Sequence, residues 1–132
     1  QNGETIVLGN VRFTGHHTPG HTPGGMSWRW QSCGESGCRH IVYADSLSPI
    51  SADGFSYSAE NGRVAEQMRS SAERIGALRC DIFLANHPSF FGMSQKLESD
   101  ASEPFVDGGE CRAYAERSLE RLAQRLLEES AE

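Results

Sequence analysis

Apolar and polar positions alternate along the first part of the chain and later recur every three or four residues, so strands are expected first and helices later. "TIVLG" and "VRFTG", residues 5–9 and 11–15, are short β-branched runs that meet at Gly9-Asn10, a hairpin signal. "GMSWRW", residues 25–30, alternates, with Met26, Trp28 and Trp30 on one face and Ser27 and Arg29 on the other. "HIVYAD", residues 40–45, follows across the Cys33–Cys38 segment and completes a second hairpin. "DIFLAN", residues 81–86, is a short continuous apolar run, as a buried strand carries. Between about Asn61 and Leu78 the period changes: Val64, Met68, Ala72, Ile75 and Leu78 make a helical stripe. A last helix is expected from near Asp107, where Glu110 completes a capping-box spacing, with Cys111, Ala115, Leu119, Leu122 and Leu126 as its stripe.

Strands, helix, strand and helix follow one another without a shift in composition. This predicts one α/β domain over residues 1–132, a mixed sheet with two main helices covering one face. The other face of the "GMSWRW" strand has no obvious cover.

The four cysteines sharpen this picture. None lies in a CxxC pair, so a zinc ribbon is disfavoured. Cys33 and Cys38 face each other across the hairpin turn, and Cys111 opens the last helix where it could reach Cys80, just before strand 81–86. Two disulfides in these pairs imply an oxidising compartment such as a bacterial periplasm, whereas four reduced thiols would imply the cytosol. A formal charge of −6 argues against nucleic acid and anionic membrane as partners. No apolar run reaches the roughly 18–20 residues of a membrane span, and "QNGETIVLGN" lacks the regions of a signal peptide.

Histidine supplies the candidate chemistry. "HHTPGHTPGG", residues 16–25, places prolines and glycines around His21, so a shaped loop follows strand 11–15. A constrained histidine loses little entropy on binding a metal, so His21 is a candidate ligand; the alternative is a histidine that merely bonds a carbonyl. His87 in "LANHPSFFG" repeats the arrangement of strand, His-Pro and glycine-bearing loop, so the two could converge on one site. His16 and His17 read as structural, one of them a candidate outer-sphere partner of a ligand, and His40 as a solvated strand opener. Asp45, Ser46 and Ser48 in "YADSLSP" could orient ligands or bind an anionic group, or form an ordinary turn. Ser46 lacks the GxSxG setting of a hydrolase nucleophile.

"GHTPGG", "YADSLSP", "HPSFFG" and "DGGECRAYAERSLERLAQRL", in this order over nearly the whole chain, resemble the C-terminal half of a subclass B3 metallo-β-lactamase. "GHTPG" alone marks only the wider metallo-hydrolase superfamily, which includes glyoxalase II; "ADSLS" with the late "HP" and the last helix is more specific. The resemblance implies one half of an αβ/βα sandwich and zinc-dependent hydrolysis of the β-lactam ring of penicillins, cephalosporins and carbapenems. It implies two Zn2+ per intact enzyme, with His21 completing a three-histidine site and His87 belonging to the second. Ser46 and Ser48 would hydrogen-bond the substrate carboxylate. The loop from Pro49 to Tyr57 would flank the substrate, offering Pro49, Ile50 and Phe55 as apolar contacts. No catalytic side chain is expected beyond the water that the metal activates. The implied setting is the bacterial periplasm, and the implied role is antibiotic resistance.

The family's HxHxDH motif, which supplies four of six ligands, does not occur in this sequence. The chain is therefore expected to be a C-terminal fragment, inactive alone, whose partner is the missing N-terminal half. Two other readings remain open: a thioester hydrolase of the glyoxalase II type, in which Asp45 would bridge the metals, and a non-catalytic half-domain that dimerises through its open face.

Overall fold

The computed structural model describes residues 2–131, apart from the side chains of Glu60 and Asn61. Its five-stranded mixed sheet has the order β1-β2-β3-β4-β5, with β1 Thr5–Leu8, β2 Val11–His17, β3 Met26–Gly34, β4 Gly37–Ala44 and β5 Ile82–Ala85. The first four strands form an antiparallel meander; β5 returns parallel to β4 after helix α1, Ala59–Gly76. A 3-10 turn at Pro88–Phe90, a short helix α2 at Met93–Leu97 and helix α3 at Glu110–Ser130 complete the order.

Register decides which face becomes core. Val42, Ala44, Phe83 and Ala85 point toward α1 and α3 and are buried with Met68, Ala72, Ile75, Tyr114 and Leu122. Ser27 lies on that same face, fully buried, because its partners across β2 and β4 require it there. The tryptophans of "GMSWRW" therefore fall on the opposite face. There Ile6, Leu8, Phe13, Trp28, Trp30, Ile41 and Tyr43 are all at least partly exposed. Phe13 and Trp30 pack as a tilted ring pair with centroids 5.2 Å apart.

Several expectations shift. β2 continues through His16 and His17, which pair with Ser27 and Met26, so the shaped loop starts only at Thr18. α1 begins two residues before Asn61, and Leu78 lies beyond its end at Gly76. The capping box does not form. Gly109 caps α3 without a side-chain bond, Asp107 instead accepts from the Gly109 N–H at 2.9 Å, and Glu110 is drawn into an ion pair with Lys96. His40 is neither first in its strand nor solvated. It is half-buried within β4, its N–H donating to Asp81 Oδ2 at 2.7 Å. The 3-10 turn and α2, too short to show a period, have no counterpart in the sequence reading.

Cys33 is bonded to Cys38 across the β3–β4 turn, and Cys80 to Cys111, which pins the start of α3 to the start of β5. A bridge closing a span of 31 residues stabilises by about 3–4 kcal/mol, and one closing a span of 5 by about 2 kcal/mol, through the entropy of the unfolded chain. Replacing Cys80 and Cys111 by serine should therefore lower unfolding free energy more than replacing Cys33 and Cys38. Denaturant unfolding of the two double variants measures the difference; equal losses would contradict it.

Candidate functional site

β2, β4 and β5 run in one direction and end at the same sheet edge, so the loops 18–25, 45–57 and 86–92 begin side by side. The carboxyl ends of parallel strands are where α/β sheets place ligands.

The first loop is built against α1. Thr18 N–H bonds Gly25 O at 2.8 Å, and Ser71 of α1 donates to Pro19 O at 2.6 Å. Gly20 has φ 147°, and a Cβ there would lie 2.1 Å from Met68 Cγ. A Cβ on Gly25 would lie 2.5 Å from Thr18 O. The glycines of the two His-Thr-Pro-Gly repeats thus allow the loop to close on itself and on α1. His21 stands exposed between them, its Nδ1 2.9 Å from the Ser48 carbonyl oxygen. A carbonyl only accepts, so Nδ1 carries the proton and Nε2 presents its lone pair.

Asp45, at the end of β4, accepts three N–H bonds. Its Oδ2 accepts from Met26 N–H at 3.2 Å, and its Oδ1 from Ser46 N–H at 2.8 Å and from the Asn86 amide at 3.4 Å. Asn86 precedes His87, so this carboxylate ties all three loops together. His87 itself is exposed, its ring packed against Phe90 at 4.9 Å between centroids. Ser46 and Ser48 are 2% and 7% exposed, and Ser46 Oγ accepts from Ser48 N–H at 3.2 Å.

The segment's main anchor escaped the sequence reading. Tyr114 of α3 accepts from Leu47 N–H at 2.9 Å and donates to Asp45 O at 3.0 Å. Burial, offset in part by the Leu47 bond, raises its phenol above the usual tyrosine range, so it stays a neutral donor. Tyr114→Phe should cost about 1–3 kcal/mol by leaving the Leu47 amide unpaired. Thermal unfolding reads that cost, and a wild-type midpoint would refute it.

Ser48, Pro49 and Ile50 line one cavity of about 580 Å3 together with Arg121, Gln124 and Arg125 of α3. Phe55 lies apart, in a neighbouring recess with Asp53, Ser56, Arg125 and Glu129. Burial alone would raise the Glu129 carboxyl. Bonds from Tyr57 N–H, Ser56 Oγ and Ser58 hold it down instead, to about 2, so it is an anion at neutral pH. No sequence signal marks Tyr114 or Glu129, because each acts across about 70 residues of chain.

His16 and His17 are the last two residues of β2. Burial, then Arg29 and Arg74, lower the His16 pKa, so its ring is neutral at pH 7, and its Nε2 is buried without a partner among the described residues. His17 Nε2 lies 3.2 Å from Pro23 O, inside the loop. Among the described residues, no three His, Cys, Asp or Glu side chains gather as a metal site. The donors that do fit zinc are the free Nε2 of His21 and the exposed imidazole of His87. Two imidazoles are fewer than the three or four protein ligands that a zinc site takes.

No protein-family profile matches the chain. Solved structures do. The Rm3 metallo-β-lactamase superposes with TM-score 0.93 at 39% identity, covering 98% of this chain and 50% of its own. MEM-A1, a subclass B3 metallo-β-lactamase from a soil metagenome library, gives 0.93 at 34% identity, covering 99% and 52%. BJP-1, the subclass B3 enzyme of Bradyrhizobium japonicum, gives 0.86 at 26% identity, covering 99% and 50%. The chain therefore has one half of the metallo-β-lactamase fold. Two of these three matches are subclass B3 proteins, and the chain spans about half the length of the proteins it matches.

Proposed function

We propose that the chain is the C-terminal half of a zinc-dependent β-lactam hydrolase of subclass B3. The observation that carries this reading is His21. The Ser48 carbonyl fixes its proton on Nδ1, so Nε2 is free at the edge where His87 also emerges. Histidines that bind zinc are oriented in this way by a bond to the other ring nitrogen. His21 and His87 would each contribute to one of two Zn2+ sites, the other ligands coming from the N-terminal half. When bound, zinc supplies an activated water and polarises the lactam carbonyl. This chain's residues orient and bind: Ser46 and Ser48 would hold the substrate carboxylate, and Pro49, Ile50 and Phe55 would offer apolar contact. The two disulfides suit an exported, periplasmic protein, and such an activity there would confer antibiotic resistance.

Asp45 weighs against the glyoxalase II reading. Both its oxygens already accept N–H bonds from the protein, so it is spent on joining the loops. The exposed aromatic face fits a missing half-sandwich rather than a finished half-domain.

The test joins this chain to the N-terminal half of a B3 relative and assays nitrocefin and S-lactoylglutathione. We expect nitrocefin turnover that a chelator abolishes, with S-lactoylglutathione untouched. Turnover of the thioester alone would overturn the reading, as would two-half protein that binds no zinc.

A further inference from the structure

The substrate-flanking loop is held from an unexpected side. Glu129 lies on the last turn of α3, more than 70 residues along the chain, yet its side chain is only 7% exposed. One carboxylate oxygen accepts from Tyr57 N–H at 2.9 Å and from Arg125 Nε at 3.0 Å. The other accepts from Ser58 N–H at 2.9 Å and from the Ser56 hydroxyl at 2.8 Å. Four donors on one carboxylate are near the most that it can accept.

Three further contacts carry this anchor to the loop's tip. Arg125, oriented by Glu129, donates to Phe55 O at 3.4 Å. Tyr57, whose amide Glu129 holds, donates its hydroxyl to Ile50 O at 3.2 Å and stacks edge-on against Phe55 with centroids 5.1 Å apart. Tyr57 is 1% exposed, whereas Ile50 is 72% and Phe55 43% exposed. A buried post thus supports two exposed apolar side chains, and α3 supports the post.

We propose that Glu129 is a positioning residue that sets where Ile50 and Phe55 stand beside the substrate and so tunes which apolar substituents the site accepts. This rests on the reading that residues 49–57 face the substrate. Glu129 would touch neither substrate nor metal. The loop holds its shape only while the last turn of α3 is in place, so the C-terminal helix becomes part of the specificity apparatus. Glu129→Gln keeps the shape but puts an NH2 group against donors and loses the ion pair with Arg125. Glu129→Asp keeps the charge but is one methylene too short to reach both amides.

The experiment uses the two-half enzyme and compares Glu129→Gln, Glu129→Asp and Phe55→Ala with wild type. Measurements are kcat and KM for β-lactams with bulky apolar and with small side chains, together with amide hydrogen exchange. We expect Glu129→Gln to raise KM for the bulky substrates about tenfold, equivalent to about 1.4 kcal/mol. We expect kcat and the KM for small ones to stay within about twofold, because only binding through Ile50 and Phe55 is affected. Exchange of the amides of residues 50–57 should rise while β4 and β5 stay protected, and Glu129→Asp should recover part of the KM. Unchanged KM in Glu129→Gln with a raised KM in Phe55→Ala would overturn the proposal while sparing the substrate-loop reading. Unchanged KM in both would overturn that reading, and the proposal with it. A loss of kcat equal for all substrates would reduce Glu129 to a structural cap.

Discussion

His21→Ala in a two-half enzyme built on this chain should remove one zinc equivalent and lower kcat/KM by far more than the roughly 10–100-fold that outer-sphere partners of a metal are worth. The reason lies in how the ring is placed. It is exposed, makes no core contact, and spends Nδ1 on Ser48 O, leaving Nε2 for a ligand. Deleting it should cost the fold little, so circular dichroism and unfolding midpoint should stay near wild type while metal content and activity fall together. His17→Ala is the matched control. His17 is also exposed and heads the preceding His-Thr-Pro-Gly repeat, but its ring bonds Pro23 O inside the loop, so both zinc equivalents should remain. Metal analysis by mass spectrometry with nitrocefin kinetics decides the matter. Full zinc and full turnover in His21→Ala would remove the metal role assigned to this loop.

Expressed alone, the chain should self-associate and bind a hydrophobic dye strongly, and both behaviours should disappear on adding the N-terminal half of a B3 relative. One face of the sheet carries Leu8 at 73%, Ile6 at 55% and Tyr43 at 37% exposure, with Phe13, Trp28 and Trp30 half-buried among them. Each such side chain contributes about 1.5–3 kcal/mol when fully buried, so covering the row is worth several kcal/mol. Contiguous apolar patches beyond a few hundred Å2 are rare on monomers and mark a surface that another body covers. Trp28 and Trp30 report the event directly, since their emission should shift to the blue when the second half docks. Trp28→Thr with Trp30→Thr should weaken both dye binding and reassembly. A monodisperse monomer that binds no dye would defeat this expectation.

The strand and helix order was legible because its causes are local. Alternation in "GMSWRW", β-branching in "TIVL" and the stripe of α1 each act within a few residues. The disulfide pairs were legible too, because their cysteines sit at element ends that the pattern had already located. Local signals failed where a tertiary partner competed. Asp107 and Glu110 had the spacing of a capping box, but Lys96, from a segment with no readable period, took Glu110 into an ion pair. His16 and His17 looked like loop residues beside Pro and Gly, but pairing with β3 drew them into the sheet.

The candidate site divides in the same way. The sequence by itself determined which residues could do chemistry: His21 and His87 after strands, Asp45, Ser46 and Ser48 at a strand end, and an apolar alternation with nothing to cover one side. These follow from residue type and spacing, which are properties of the chain. Only the tertiary structure decided what each group is free to do. Ser48 O selects the tautomer of His21, Asp45 is consumed by three loops, and Tyr114 and Glu129 hold the site from α3. Those assignments depend on hydrogen bonds between residues about 20 to 70 positions apart. Such bonds exist only once packing has excluded water and brought the partners within 3–3.5 Å, so no local pattern encodes them.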